Sequence, residues 1–135
     1  NVDAGADGTS KGIRAFREDH DVTNIRFFKN MVPKDFLRLL KNSQCLIGNS
    51  SVGIRECAYL GVPVVNIGSR QSGRERGKSV IDVQYSKIEI KNAILKHLEH
   101  GHFLSDKIYG KGDAGRQIAD LLAKEILTFH KILRY

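Results

Sequence analysis

Cysteine is scarce in this chain, proline scarcer still for its length, and tryptophan is missing altogether: two Cys, two Pro, no Trp. Cys45 and Cys57 form neither a metal-ligand spacing nor a disulfide framework. The first falls in an expected strand and the second on an expected helix face, so both read as small buried residues rather than catalytic thiols. No apolar run approaches the roughly 20 residues of a membrane span, and no signal-type segment opens the chain. The expectation is a cytoplasmic domain without a membrane partner. The chain begins at Asn1, without Met and inside an element, and therefore reads as a fragment whose N-terminal region lies elsewhere. Internal repeats and low-complexity tracts are also lacking.

What is present suits one α/β domain over residues 1–135, large enough to bury a core. The net charge is +7, and Arg70-Gln71-Ser72-Gly73-Arg74-Glu75-Arg76-Gly77-Lys78 concentrates four cations against one anion. A basic surface of this kind suits nucleic acid, a membrane or a small anion. The stretch contains no aromatic residue on which a base could stack. No helix-turn-helix, zinc-finger or RNP pattern occurs elsewhere, so nucleic acid is not the expected partner.

Apolar spacing and turn residues give an alternating order. Thr9 or Ser10 caps a helix to about His20 with Ile13 and Phe16 inward, and Ile25-Arg26-Phe27-Phe28 reads as a strand. Pro33 opens a helix to about Asn42 that buries Phe36, Leu37, Leu39 and Leu40. Cys45-Leu46-Ile47 reads as a strand buried on both faces, followed by a helix carrying Val52, Ile54, Cys57, Ala58 and Leu60. Gly61 ends that helix, and strands are expected at Val64–Ile67 and Ser79–Val83. A helix spans Lys87 to His100, and another runs from about Ala114 with Ile118, Leu121, Leu122, Ile126 and Phe129 on one stripe. Strands separated by helices imply a Rossmann-like parallel sheet with helices on both faces. Such sheets bind ligands at the C-terminal ends of their strands.

One of those ends carries the strongest signal, Gly48-Asn49-Ser50-Ser51-Val52-Gly53-Ile54-Arg55-Glu56. Strand, tight turn and helix start in that order gather backbone N–H groups and the positive helix end around a concavity suited to phosphate. Ser50 and Ser51 add hydroxyl donors, Gly53 permits close approach, and Arg70 just past the next strand supplies a charge-assisted partner. Glu56 lies beyond the turn, where a carboxylate does nothing for an anion but accepts from a pair of ribose hydroxyls. The competing reading makes Ser50 or Ser51 a helix cap and pairs Glu56 with Arg55 or a surface lysine. No Gly-Lys-Ser/Thr closes this turn and no GxGxxG is present, so Mg-dependent phosphoryl transfer has no support. The five histidines read as surface or cap residues, and Asp3 and Asp7, on the ligand edge, as either acids or turn residues.

That segment, together with Leu60-Gly61-Val62-Pro63-Val64-Val65-Asn66 and Arg70-Gln71-Ser72-Gly73-Arg74-Glu75, resembles the UDP-N-acetylglucosamine 2-epimerase family. Asn1-Val2-Asp3-Ala4-Gly5, Phe28-Lys29-Asn30-Met31 and Tyr109-Gly110-Lys111-Gly112-Asp113 extend the likeness over nearly the whole chain. It is closest to the hydrolysing branch, because the non-hydrolysing branch has Thr-Thr-Glu-Arg where this chain has Ser72-Gly73-Arg74-Glu75-Arg76. The resemblance implies the C-terminal half of a two-domain fold like the B-type glycosyltransferases (GT-B), with a UDP-sugar substrate between the halves. It implies that Ser50, Ser51 and Gly53 lie at the diphosphate and Glu56 at the ribose. Arg70 would reach the phosphates, Asn1 face the site, and the loop with Asn30 lie near the uracil. No metal or cofactor is implied, and the full-length enzyme would be a homo-oligomer. The residues handling the sugar C2 proton would lie in the N-terminal half. Alternatives are a relative acting on a modified UDP-sugar, or a non-catalytic nucleotide-sugar-binding module.

Overall fold

A computed structural model describes residues 6–126. Contacts divide the chain into two compact units, residues 1–33 and 34–135. The first carries helix α1, Ala6–Asp19, with Asp7 in its first turn and Arg17 in its last, both favourable to the helix dipole. Ile13 and Phe16, expected inward, stay 45% and 41% exposed. Phe16 stacks on His20 at 4.4 Å, and the Arg17 guanidinium lies 4.8 Å from the Phe27 ring centre. Asp21 then makes a turn, accepting from the Thr23 N–H at 3.0 Å, and that bond holds its carboxyl below the usual range. The expected strand at Ile25–Phe28 does not form. A strand exists only where a neighbour takes its N–H and C=O groups, and no ladder among the described residues includes these four.

Helix α2, Pro33–Asn42, belongs to the second unit from Lys34 onward, and the sheet of that unit holds three parallel strands in chain order: β1 (Leu46–Gly48), β2 (Val64–Ile67) and β3 (Val80–Val83). Leu46 pairs with Val64 and Val64 with Val80, so the strands begin together. Side chains alternate across β2. Val64 packs with Leu40, Cys57 and Val62 on one face, and Val65 packs with Val83 and Ala93 on the other. Each fully buried aliphatic side chain contributes about 1.5–3 kcal/mol, so β2 anchors both layers. β1 was expected to be buried on both faces, yet Ile47 is 47% exposed. As the edge strand among the described residues it has a neighbour on one side only.

Helix α5, Lys87–His100, covers the second face. Ser86 caps it by accepting from the Glu89 N–H at 3.4 Å, and Glu89 reaches back to the Gln84 N–H at 3.1 Å. His97 corrects the surface reading of the histidines: it is 2% exposed. Its Nε2 lies 3.0 Å from the Val64 carbonyl, which only accepts, so Nε2 carries the proton. Burial holds its pKa below the usual histidine value. Helix α6, Ala114–Lys124, presents its stripe outward, with Ile118, Leu121 and Leu122 each more than half exposed. Both sheet faces are already covered, one by α2 and residues 51–60 and the other by α5, which leaves that stripe unpacked among the described residues. Phe129 of the same expected stripe lies outside the described residues.

Candidate functional site

β1 ends at Gly48, and Asn49-Ser50 turn the chain into a broken helix. The expected continuous helix is two pieces, α3 (Ser51–Ile54) and α4 (Glu56–Leu60), separated at Arg55 with φ −100° and ψ −68°. A four-residue helix carries little aligned dipole. The turn's capacity for an anion therefore rests on individual donors. Ser50 is the cap of α3, its Oγ accepting from the Val52 N–H at 3.4 Å. The hydroxyl proton of such a cap still points away from its acceptor lone pair, so capping and donation to a ligand are compatible. Ser50 is exposed and Ser51 half-buried.

Gly53 has a different reason to be glycine than ligand approach. A Cβ there would lie 2.9 Å from Val64 Cγ1 and 3.4 Å from Leu46 Cδ2. The tight contact is between α3 and β2. It seats the turn at the sheet edge rather than opening it to a ligand.

The basic stretch is held to that turn by one side chain. Gln71, 4% exposed, donates from Nε2 to the Asn49 carbonyl at 2.7 Å. Arg76 donates to the Arg74 carbonyl, to the Gln71 carbonyl at 2.9 Å and to Asp82 Oδ2 at 2.5 Å. Asp82 in turn accepts from Asn66, 1% exposed in β2, at 2.6 Å. Arg76 is thus committed to holding the loop. The segment 68–79 also serves as the crossover between two parallel strands, so it does not lie wholly at the C-terminal edge. Arg70 and Arg74 remain exposed at its start.

Glu56 opens α4 at the wall of a groove of about 390 Å³, with Leu37, Arg55, Tyr59, Tyr109 and Gly110 among its other walls. Its Oε2 is buried and has no hydrogen-bond partner. The expected pairing with Arg55 or a lysine is not made among the described residues. Tyr109 donates its hydroxyl to the Glu75 carbonyl at 2.7 Å, tying the 109–112 loop to the basic stretch. A buried carboxylate oxygen without a partner is an exception to the usual pairing of buried polar groups.

The family model described as UDP-N-acetylglucosamine 2-epimerase matches residues 4–123. This chain belongs to that family. The epimerase-family match takes in the turn, Glu56, the basic stretch and the 109–112 loop. The chain is 36% identical over 115 residues to a UDP-N-acetylglucosamine 2-epimerase of Neisseria meningitidis serogroup B, covering 84% of this chain and 29% of that protein. It is 40% identical over 96 residues to the polysialic acid biosynthesis protein P7 of Escherichia coli, covering 71% and 23%. A hydrolysing UDP-N,N'-diacetylbacillosamine 2-epimerase of Legionella pneumophila is 35% identical over 102 residues, covering 76% and 27%. The chain thus spans less than a third of the length of these curated relatives.

Of the residues expected in an epimerase site, Ser50, Ser51, Glu56 and Arg70 belong to the second unit, on or just after the turn following β1 and the end of β2. Asn30 belongs to the first unit, is exposed, and accepts from the Met31 N–H at 3.0 Å through Oδ1. Asn1 lies outside the described residues. Sequence reasoning missed Gln71, whose only signal is its place between two arginines past a strand end. Cys57 is fully buried and its thiol is pushed up to about 12, mainly by that burial, so it offers no thiolate.

Proposed function

We propose that this chain is the UDP-binding, C-terminal part of a hydrolysing UDP-N-acetylglucosamine 2-epimerase. The observation that carries the reading is Glu56: a half-buried carboxylate with one unpartnered oxygen in a groove, a short way along the chain from two serines at a strand end. A ribose 2′,3′-diol supplies two donors to one carboxylate. The diphosphate then falls towards Ser50 and Ser51, with Arg70 as its cationic partner. In the reaction, UDP departs from C1 of the sugar as a proton leaves C2, and water adds to the resulting glycal, giving N-acetylmannosamine and UDP. This part's contribution is to stabilise the charge that develops on the leaving diphosphate. The residues that move the C2 proton belong to the rest of the protein.

The hydrolysing assignment draws support from Ser72-Gly73-Arg74-Glu75-Arg76 and from a relative whose name carries that activity. The same relative favours a second reading, in which the substrate is a UDP-sugar with two acetamido groups. The experiment is to give the protein that carries this chain a panel of UDP-sugars and analyse the products. Free N-acetylmannosamine with UDP supports the proposal, and UDP-N-acetylmannosamine as sole product refutes the hydrolysing assignment. Undiminished UDP release after both Glu56→Ala and Ser51→Ala refutes the site.

A further inference from the structure

We propose a second small-molecule site, for a phosphate monoester, at the opposite edge of the sheet from the turn after β1. A cavity of about 650 Å³ opens between Lys78-Ser79, which lead into β3, and residues 100–107, which follow α5. Its size falls within the range of small-molecule pockets, ~300–1,000 Å³. Because the strands are parallel and Ser79 precedes β3, the cavity lies at their N-terminal ends. Roughly 13 Å of strand separates it from the C-terminal edge.

Its far wall is fixed before any ligand arrives. The Phe103 N–H donates to the Gly61 carbonyl at 2.8 Å and the Asp106 N–H to the Ala58 carbonyl at 2.9 Å. His102 donates from Nε2 to the Ser43 carbonyl at 2.9 Å, and Phe103 stacks on His100 at 3.9 Å. Gly61 has φ 70°, and a Cβ there would sit 2.1 Å from the Phe103 carbonyl oxygen. The wall therefore depends on a glycine at that point.

The chemistry of the lining is that of an anion site. Lys78 and Lys107 line it together with one carboxylate, Asp106, and with His100 and His102. Ser79 is 3% exposed, and its Oγ is buried without a hydrogen-bond partner. A buried hydroxyl normally has a partner, and Ser79 is one of the residues that line the cavity. Two point-charge ammonium groups and a hydroxyl together supply donors for the oxygens of a phosphate. Leu104, 93% exposed on the rim, offers an apolar surface to the ester group. Although Gly77-Lys78-Ser79 looks like the end of a P-loop, it runs into a strand rather than a helix, so its phosphate would be held by side chains.

The test is calorimetric titration of phenyl phosphate and of inorganic phosphate into the protein that carries this chain, with UDP saturating so that the nucleotide site is occupied. Saturable binding of phenyl phosphate, weakened about tenfold by Lys78→Gln, Lys107→Gln or Ser79→Ala and unchanged by Lys124→Gln, supports the proposal. Equal affinity for the two probes would mean that phosphate alone is recognised and would overturn the monoester assignment. No saturable heat, tighter binding of benzoate than of phenyl phosphate, or binding indifferent to all three substitutions overturns the site. Far-UV circular dichroism of each variant ensures that the comparison is between folded proteins. The result is independent of the epimerase reading, since UDP affinity is measured separately in the same samples.

Discussion

Replacing Gly53 by alanine tests how the turn is seated. The added methyl carbon would lie 2.9 Å from Val64 Cγ1 and 3.4 Å from Leu46 Cδ2, and Val64 is 2% exposed. Neither neighbour has open space to move into, because Val64 sits in the cluster with Leu40, Cys57 and Val62. Overpacking of this kind costs about 1–3 kcal/mol. The helical preference of alanine over glycine returns at most about 1 kcal/mol, which a four-residue helix does not fully realise. The net expectation is destabilisation by about 1–2 kcal/mol. Val64→Ala alone costs about 2 kcal/mol in lost burial and a small cavity. In the double variant the new methyl occupies space that Val64 vacates. The two effects should then fall short of their sum by about 1 kcal/mol. Urea denaturation of the four proteins measures this coupling. Strict additivity, or a stabilised Gly53→Ala, would refute the contact as the reason for glycine. UDP affinity of the folded Gly53→Ala protein should change little, whereas a loss of more than about tenfold, without loss of fold, would restore the ligand-approach explanation.

Other outcomes follow from the same structure. Burial keeps the His97 pKa below its unfolded value, so on acidification the unfolded chain takes up the proton first. Stability is full above about pH 6.5 and falls below it, by at most about 1.4 kcal/mol per pH unit, until the folded-state pKa is passed. Urea midpoints at pH 7.5 and 5.5 should show that loss in the native protein and a smaller one in His97→Gln. Cys57, with its thiol raised to about 12 and no exposure, should react with a thiol reagent at pH 7.5 only after urea is added. Arg76→Ala removes three donor contacts of the basic loop, those to Asp82, the Arg74 carbonyl and the Gln71 carbonyl. Hydrogen exchange of residues 69–77 should quicken in that variant while β2 and α5 stay protected.

The regular elements of the second unit were legible where periodicity and punctuation agreed. Lys87–His100 has a serine cap, helical spacing and a terminal glycine, and it folds with those limits. Val64–Ile67 follows Pro63 and is a strand throughout. Failures came where local pattern depends on a neighbour. Among the described residues, Ile25–Phe28 has strand residues but no ladder partner, and the α6 stripe has helical spacing but stays exposed. At the candidate site, the cap role of Ser50 was legible because turn chemistry is a local signal. The break at Arg55, the Gln71–Asn49 bridge and the fate of Arg76 were not, since each depends on a partner distant in sequence or on backbone geometry. Gly53 stood out in the sequence, but its close approach to Val64 did not.

The most direct measurement compares UDP with 2′,3′-dideoxy-UDP as ligands of the protein carrying this chain, in its native form and as Glu56→Ala and Glu56→Gln. If Glu56 takes the ribose hydroxyls, removing them weakens binding to the native protein by about ten- to a hundredfold, the scale of hydrogen bonds to a charged acceptor. Both variants should then lose a similar factor towards UDP and bind the two ligands almost alike. Discrimination between UDP and its dideoxy analogue that persists undiminished in Glu56→Ala would contradict the account.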